Sequence, residues 1–126
     1  MNLGKRFELL CAADLQQYMT DNNIAGQIYA PIVDDSGIDL VVRMSHDKYK
    51  EIQIKVRADK NLFTIGEFDE GSNYWFVFYC KNAAGKYDRY ILRSKEVKRA
   101  LTGGNHLRIT KDMVKYRERG FDCILK

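Results

Sequence analysis

Hydrophobic positions along the chain follow two different periods. Between residues 2 and 20, Leu3, Phe7, Leu10, Cys11, Leu15 and Tyr18 recur at helical spacing, which predicts an opening amphipathic helix. Asp21-Asn22-Asn23 and Gly26 stop it. Residues 27–33 read as a strand in which Pro31, having no N–H to donate, requires an edge or a bulge. Asp34-Asp35-Ser36-Gly37 is a turn signal, followed by an apolar strand over 38–43 and a second turn at Ser45-His46-Asp47-Lys48. Residues 51–56 alternate polar with apolar, as a half-buried strand does. After a loop around Asp59-Lys60-Asn61, residues 62–65 predict a short strand or an irregular crossing.

The run Tyr74 to Tyr79 is the most apolar of the chain and predicts a strand covered on both faces. Its aromatics suit core packing better than base stacking, because no basic residue interrupts them. Ala84-Gly85-Lys86 turns into a strand over 89–93. Ser94 reads as an N-cap for a helix over 95–101, and 102–105 as a flexible connection. Thr110 is positioned to cap a last helix running to about Arg117 and closed by Gly120, with 121–125 a final short strand or tail.

Composition narrows the class. At 126 residues, with 45% hydrophobic and 30% charged residues and a single proline, the chain is predicted to form one domain over 1–126 with an ordinary core. No apolar run approaches the roughly 18 residues of a membrane span. No apolar stretch follows Lys5-Arg6 as a signal peptide requires, so a cytoplasmic location is expected. Cys11, Cys80 and Cys123 are odd in number and lack a Cys-x-x-Cys pair, which argues against a zinc ribbon and a disulfide framework. His46 and His106 have no partner at metal-ligand spacing, and buried thiols with surface imidazoles account for all five.

Charge is unevenly distributed. Residues 1–80 carry eight Lys/Arg against twelve Asp/Glu, and residues 81–126 carry thirteen against five. An acidic part followed by a basic one suits a polyanionic partner. A solvated basic helix pair that binds nothing is the competing reading.

Strand alternation puts Glu51, Gln53 and Lys55 on one face and Ile52, Ile54 and Val56 on the other. Asp39 is the one charged residue inside the preceding apolar strand. If the two strands are neighbours, Asp39 comes near Gln53 and Lys55 at one end of the sheet. A carboxylate, an amide oxygen and the Ile54 backbone carbonyl are oxygen ligands for Mg²⁺ or Mn²⁺. A lysine beside such a cation holds a water or offsets charge building on a phosphate. The chemistry implied is metal-assisted phosphodiester hydrolysis. Glu8 falls on the same side of the opening helix as Cys11, Ala12, Leu15 and Met19. A carboxylate in an apolar stripe is costly unless paired or coordinating, so Glu8 is a fourth candidate; reaching water or Lys5 is its alternative role.

Together, Glu8 in the opening helix, Gly37-Ile38-Asp39-Leu40-Val41 after a turn, and Ile52-Gln53-Ile54-Lys55 resemble the PD-(D/E)xK, or restriction-endonuclease-like, superfamily. The resemblance covers the first half of the chain well. It is nearest to the small branch of Holliday-junction resolvases and group I intron homing endonucleases, which also have a helix glutamate. It implies an α/β fold with an αβββαβ core, a mixed central sheet flanked by helices, and Mg²⁺-dependent cleavage of DNA. A homodimer or tetramer is also implied. The implied catalytic set is Glu8, Asp39, Gln53 and Lys55, with Asp39, Gln53, the Ile54 carbonyl and Glu8 around the metal. Gln53 stands where most relatives carry an acid, a Gln-x-Lys form in which Glu8 or Glu51 must supply the missing charge.

The basic part then has a use: Arg89, Arg93, Lys95, Lys98, Arg99, Lys111 and Lys115, with Arg117 and Arg119 beside them, are candidates for phosphate contacts. Two other readings compete. One is a catalytically weak or inactive module of the same fold acting in DNA or protein binding, with Asp39 and Lys55 in direct ion-pair contact. The other is an ordinary hairpin whose outer face carries Gln53 and Lys55.

Overall fold

The structure is a computed structural model and describes residues 1–31, 37–45 and 48–126. Helix α1 (Leu3–Asp21) begins at Asn2, whose Oδ1 accepts the Lys5 N–H at 2.8 Å. This satisfies one of the N–H groups that a helix start leaves unpaired. Its buried face is Phe7, Cys11, Leu15 and Met19, four residues apart along one side. Leu10, predicted to join that face, is 43% exposed, since each residue step rotates the side chain by about 100°. Where the chain turns from α1 toward the sheet, a β-carbon on Gly26 would meet Met19 Cε at 2.6 Å and the Arg43 carbonyl oxygen at 2.7 Å.

Three strands, β1 (Gln27–Tyr29), β2 (Leu40–Ser45) and β3 (Lys48–Arg57), form an antiparallel meander with Ile28 opposite Val42 and Leu40 opposite Ile52. β1 is an edge strand that stops before Pro31, as a residue without an N–H demands. Ala30 and Pro31 lie outside any strand, whereas 32–33 of the predicted strand, the 34–36 part of the first turn and the His46-Asp47 turn lie outside the described residues. The chain then leaves the sheet through residues 58–73, which contain the short strand β4 (Leu62–Thr64). It returns as β5 (Tyr74–Lys81), parallel to β3 with Gln53 opposite Phe76, and turns back as the antiparallel β6 (Tyr87–Arg93). The sheet order is β1-β2-β3-β5-β6.

The sheet is therefore mixed, but the expected αβββαβ order is not followed. Parallel neighbours need a crossover, usually a helix; here the crossover carries β4 instead, which pairs with β7 (His106–Arg108), Phe63 opposite Leu107. The sequence pattern gives no strand at 106–108, because three residues with one inward side chain are too few to show a period. The connection before it is a closed turn, with Thr102 bridged to His106 and Gly103 and Gly104 at φ 57° and 91°.

Helix α2 (Ser94–Ala100) starts one residue earlier than predicted. Ser94 is its first residue, not its cap, and its hydroxyl donates to the Gly71 carbonyl at 3.0 Å. The start is secured by the Arg93 N–H donating to Glu96 Oε1 at 2.8 Å. Glu96 also takes a two-pronged ion pair from Arg119, at 2.6 and 2.8 Å. After Thr110, whose hydroxyl bonds to Asp112 and not to the helix backbone, a 3-10 turn at Lys111–Met113 leads into the single turn α3 (Val114–Arg117). Residues 121–125, predicted as a strand or tail, form the helical turn α4 (Asp122–Leu125), with Phe121, Ile124 and Leu125 buried at helical spacing.

One core layer joins α1 and α4 to Leu40, Val42, Ile52, Ile54, Trp75, Val77, Tyr79 and Ile91. The other joins Phe63, Ile65, Val97, Leu107 and Ile109 to Tyr74, Phe76, Phe78, Cys80, Tyr90 and Leu92. β5 contributes to both layers and is buried from Tyr74 to Cys80, as its apolar run predicts.

Candidate functional site

The pairing of β2 with β3 ends at Leu40 opposite Ile52, while β3 runs on to Arg57 beside β5. Asp39 sits at this fork, one residue before β2 and not inside a strand over 38–43. Its N–H donates to the Ile52 carbonyl at 2.9 Å, and its carboxylate Oδ2 accepts the Ile54 N–H at 2.6 Å. The carboxylate thus replaces a strand neighbour that the ladder no longer supplies. A strand residue's N–H and C=O leave on the same side, so the Ile54 carbonyl projects toward the Asp39 side of β3.

Glu51, Gln53 and Lys55 share one face, as alternation requires, and it is the face turned away from α1. Gln53 is 8% exposed. The Tyr74 hydroxyl donates to its Oε1 at 3.2 Å. Gly37, at φ 76°, approaches so closely that a β-carbon there would lie 3.1 Å from Gln53 Nε2. A buried amide requires such partners. Lys55 is half-buried and takes part in no ion pair among the described residues.

Glu8 is half-buried on α1, and its ion pair is with Lys5 at 3.7 Å, the alternative role foreseen for it. One turn along the same helix, burial pushes the Cys11 thiol up to about 11, and the Asp39 charge adds to that rise. Gln53 and Lys55 extend from the face of β3 turned away from α1. Asp39 is bonded to Ile52 and Ile54, the two neighbours of Gln53 along β3, while among the described residues the ion pair of Glu8 is with Lys5. Among the described residues, no group of three or more His, Cys, Asp or Glu is arranged to hold a metal. The donor set is one carboxylate, one amide oxygen and one carbonyl. That set fits Mg²⁺, which is commonly held by one or two carboxylates, keeps several waters and is completed by substrate phosphate.

Beside Tyr74 a cavity of about 360 Å³ is lined by Ile38, Glu51, Glu67, Phe68, Asp69 and Tyr74. Burial raises the Glu51 carboxyl above its ordinary value, and the neighbouring Asp69 charge raises it further. Glu51, held in reserve on sequence grounds, therefore has acidic company, but its local field disfavours ionisation. Tyr74, Glu67 and Asp69 were not predicted. Placing them near Gln53 needs the β3–β5 register, which no local signal provides.

The basic residues separate into two groups. Arg89 is half-buried, with its guanidinium 4.3 Å from the centre of the Phe121 ring, and Arg119 is engaged by Glu96. Arg93, Lys95, Lys98, Arg99, Lys111 and Lys115 are exposed. A polyanion is accessible to the second group and not to the first. Comparison of the chain with protein-family models, curated proteins and solved structures found no match. Among the described residues no helix is long and apolar enough to cross a membrane.

Proposed function

We propose that the chain is a Mg²⁺- or Mn²⁺-dependent endodeoxyribonuclease of the PD-(D/E)xK, restriction-endonuclease-like class in a Gln-x-Lys form. The observation that carries this reading is the fork itself, where the Asp39 carboxylate is docked on the Ile54 N–H between Gln53 and Lys55 on the next strand. A helix, an antiparallel meander and a parallel fourth strand agree with a core of that class, with residues 58–73 in place of the crossover helix.

Asp39, Gln53 Oε1 and the Ile54 carbonyl would hold the cation, which when bound supplies charge stabilisation at the phosphate. Tyr74 fixes the Gln53 amide so that its oxygen, not its NH₂, is constrained by a donor. Lys55, with no carboxylate partner among the described residues, has its ammonium available to orient a water or to offset charge on a phosphate oxygen. Glu8 adds negative charge from α1. The exposed Arg93, Lys95, Lys98, Arg99, Lys111 and Lys115 give backbone affinity without sequence choice. Cutting both strands of a duplex calls for a second copy, so the working species is a homodimer or tetramer.

The test is incubation with linear, nicked and branched DNA in Mg²⁺ or Mn²⁺, for wild type, Asp39→Ala and Lys55→Ala. Cleavage by wild type and its loss in both variants is the expected result; equal cleavage by all three removes the site assignment. A second reading has its own support. The Gln53 amide is already bonded to Tyr74, and among the described residues the fork offers one carboxylate, that of Asp39, where relatives of the class offer two. On that reading the chain binds DNA or protein without cutting, and the two variants alter binding or stability alone.

A further inference from the structure

A second cavity, of about 520 Å³, opens between α4 and the ends of β3, β5 and β6. Lys50, Arg93, Lys95 and Lys126 converge on it, with Asp122 as the one carboxylate side chain among the described residues that line it. Asp122 is paired to Lys126 at 3.5 Å, while Lys50, Arg93 and Lys95 take part in no ion pair among the described residues. Cationic side chains that share a concavity repel one another and attract anions into it.

The walls are fixed. The Ser94 hydroxyl ties the start of α2 to the Gly71 carbonyl at 3.0 Å, and Ser94 itself is 1% exposed. Trp75 lines the cavity, 3% exposed, with the Arg93 guanidinium 5.3 Å from its ring centre. Its indole Nε1 is buried and has no hydrogen-bond partner among the described residues. The volume exceeds what a lone phosphate fills, a water taking about 30 Å³, and lies in the roughly 300–1,000 Å³ range of small-molecule sites.

Its position is equally specific. Tyr74 and Trp75 are successive residues of β5, so their side chains leave on opposite faces. Tyr74 reaches Gln53 at the fork; Trp75 lines the cationic cavity at the same end of the sheet. We propose that this cavity binds a nucleotide through its phosphate, with Lys50, Arg93 and Lys95 as the phosphate contacts. Lys50 and Lys126 belong to the site although the charge count along the sequence did not single them out. That the nucleotide is the end of a DNA strand, as opposed to a free nucleotide, rests on the nuclease reading; the phosphate chemistry does not.

Trp75 is the single tryptophan of the chain, so its emission reports this cavity alone. The protein is titrated at constant low ionic strength with dAMP and with a 5′-phosphorylated tetranucleotide, and separately with sodium chloride alone as the control for non-specific anion effects. The expected result is a saturable change with the phosphorylated probes. Half-saturation should rise at least tenfold in Arg93→Gln/Lys95→Gln and in Lys50→Gln, the latter because Lys50 is not the residue stacked on Trp75 and its loss leaves the indole environment intact. Circular dichroism checks that each variant is folded. A tenfold preference for the oligonucleotide over dAMP identifies the strand end as the source, and equal binding identifies the free nucleotide; both support the site. No saturable change with either probe, the same change with chloride, or undiminished binding in the Lys50 variant overturns it. Asp39→Asn should bind both probes as wild type does, so loss of cleavage and loss of this site are read separately.

Discussion

The Asp39 carboxylate accepts the Ile54 N–H at 2.6 Å, so a residue just outside β2 is bonded to a part of β3 that β2 no longer pairs with. One side chain therefore serves both the fold and the candidate chemistry. Asp39→Ala leaves a part-buried N–H without its acceptor and should cost about 1–3 kcal/mol in urea unfolding. Asp39→Asn keeps an acceptor oxygen and should cost less, yet abolish metal-dependent cleavage as fully as alanine. Retained cleavage in the asparagine variant would move the metal site elsewhere.

Tyr74 and Gln53 give a second test. Tyr74→Phe removes the hydrogen bond to the buried amide and should cost about 1 kcal/mol, with a several-fold fall in cleavage. Gln53→Glu restores a second carboxylate at the fork and should tighten Mn²⁺ binding, read by calorimetry. Unchanged Mn²⁺ affinity in that variant would show that Gln53 does not contact the cation.

The Glu96–Arg119 pair predicts a pH dependence. Burial pushes the Glu96 carboxyl up, but hydrogen bonds from Arg119 and the Arg93 N–H, with the charges of both arginines, leave it below its ordinary value of 4.5. A depressed carboxyl contributes stability that is full above the unfolded-state value and is lost as pH falls through the folded-state one. With side chains only 22% and 10% exposed, Glu96→Gln should cost about 2 kcal/mol at pH 7. The gap to wild type should close as the pH of thermal melts is lowered from 5 toward 3. A gap independent of pH would mean that the pair contributes nothing through its charge.

Gly26→Ala tests the approach of α1 to the sheet. Its β-carbon would lie 2.7 Å from the Arg43 carbonyl oxygen, a backbone atom that cannot swing away. The expected cost is about 1–3 kcal/mol, seen as a lower midpoint in urea with an unchanged slope. A neutral effect would show that the α1–β1 connection shifts freely.

Much of the architecture follows from sequence period alone. The opening helix, the alternation of β3 and the apolar run of β5 are long enough for a period to be unambiguous, and each is found within a few residues of its predicted bounds. Short elements are not legible in this way. β7 and α4 have three and four residues, barely more than one repeat of the strand or helix period, and depend on partners distant in the chain. The crossover over 58–73 shows the same limit, since pairing of β4 with β7 across more than forty residues decides it.

The Asp39–Gln53–Lys55 corner divides along the same line. Strand alternation determined that Gln53 and Lys55 share a face, because the two-residue period of a strand is local chemistry. Only the tertiary structure decided that Asp39 reaches the Ile54 N–H, that Tyr74 holds the Gln53 amide, and that Glu8 pairs with Lys5. It also decided which cations are available to a polyanion, stacking the half-buried Arg89 on Phe121 and tying Arg119 to Glu96 while gathering Lys50, Arg93 and Lys95 around Trp75. Side-chain period is written residue by residue, whereas strand register and the packing of one face on another are set by contacts between distant segments, where the sequence carries no local mark.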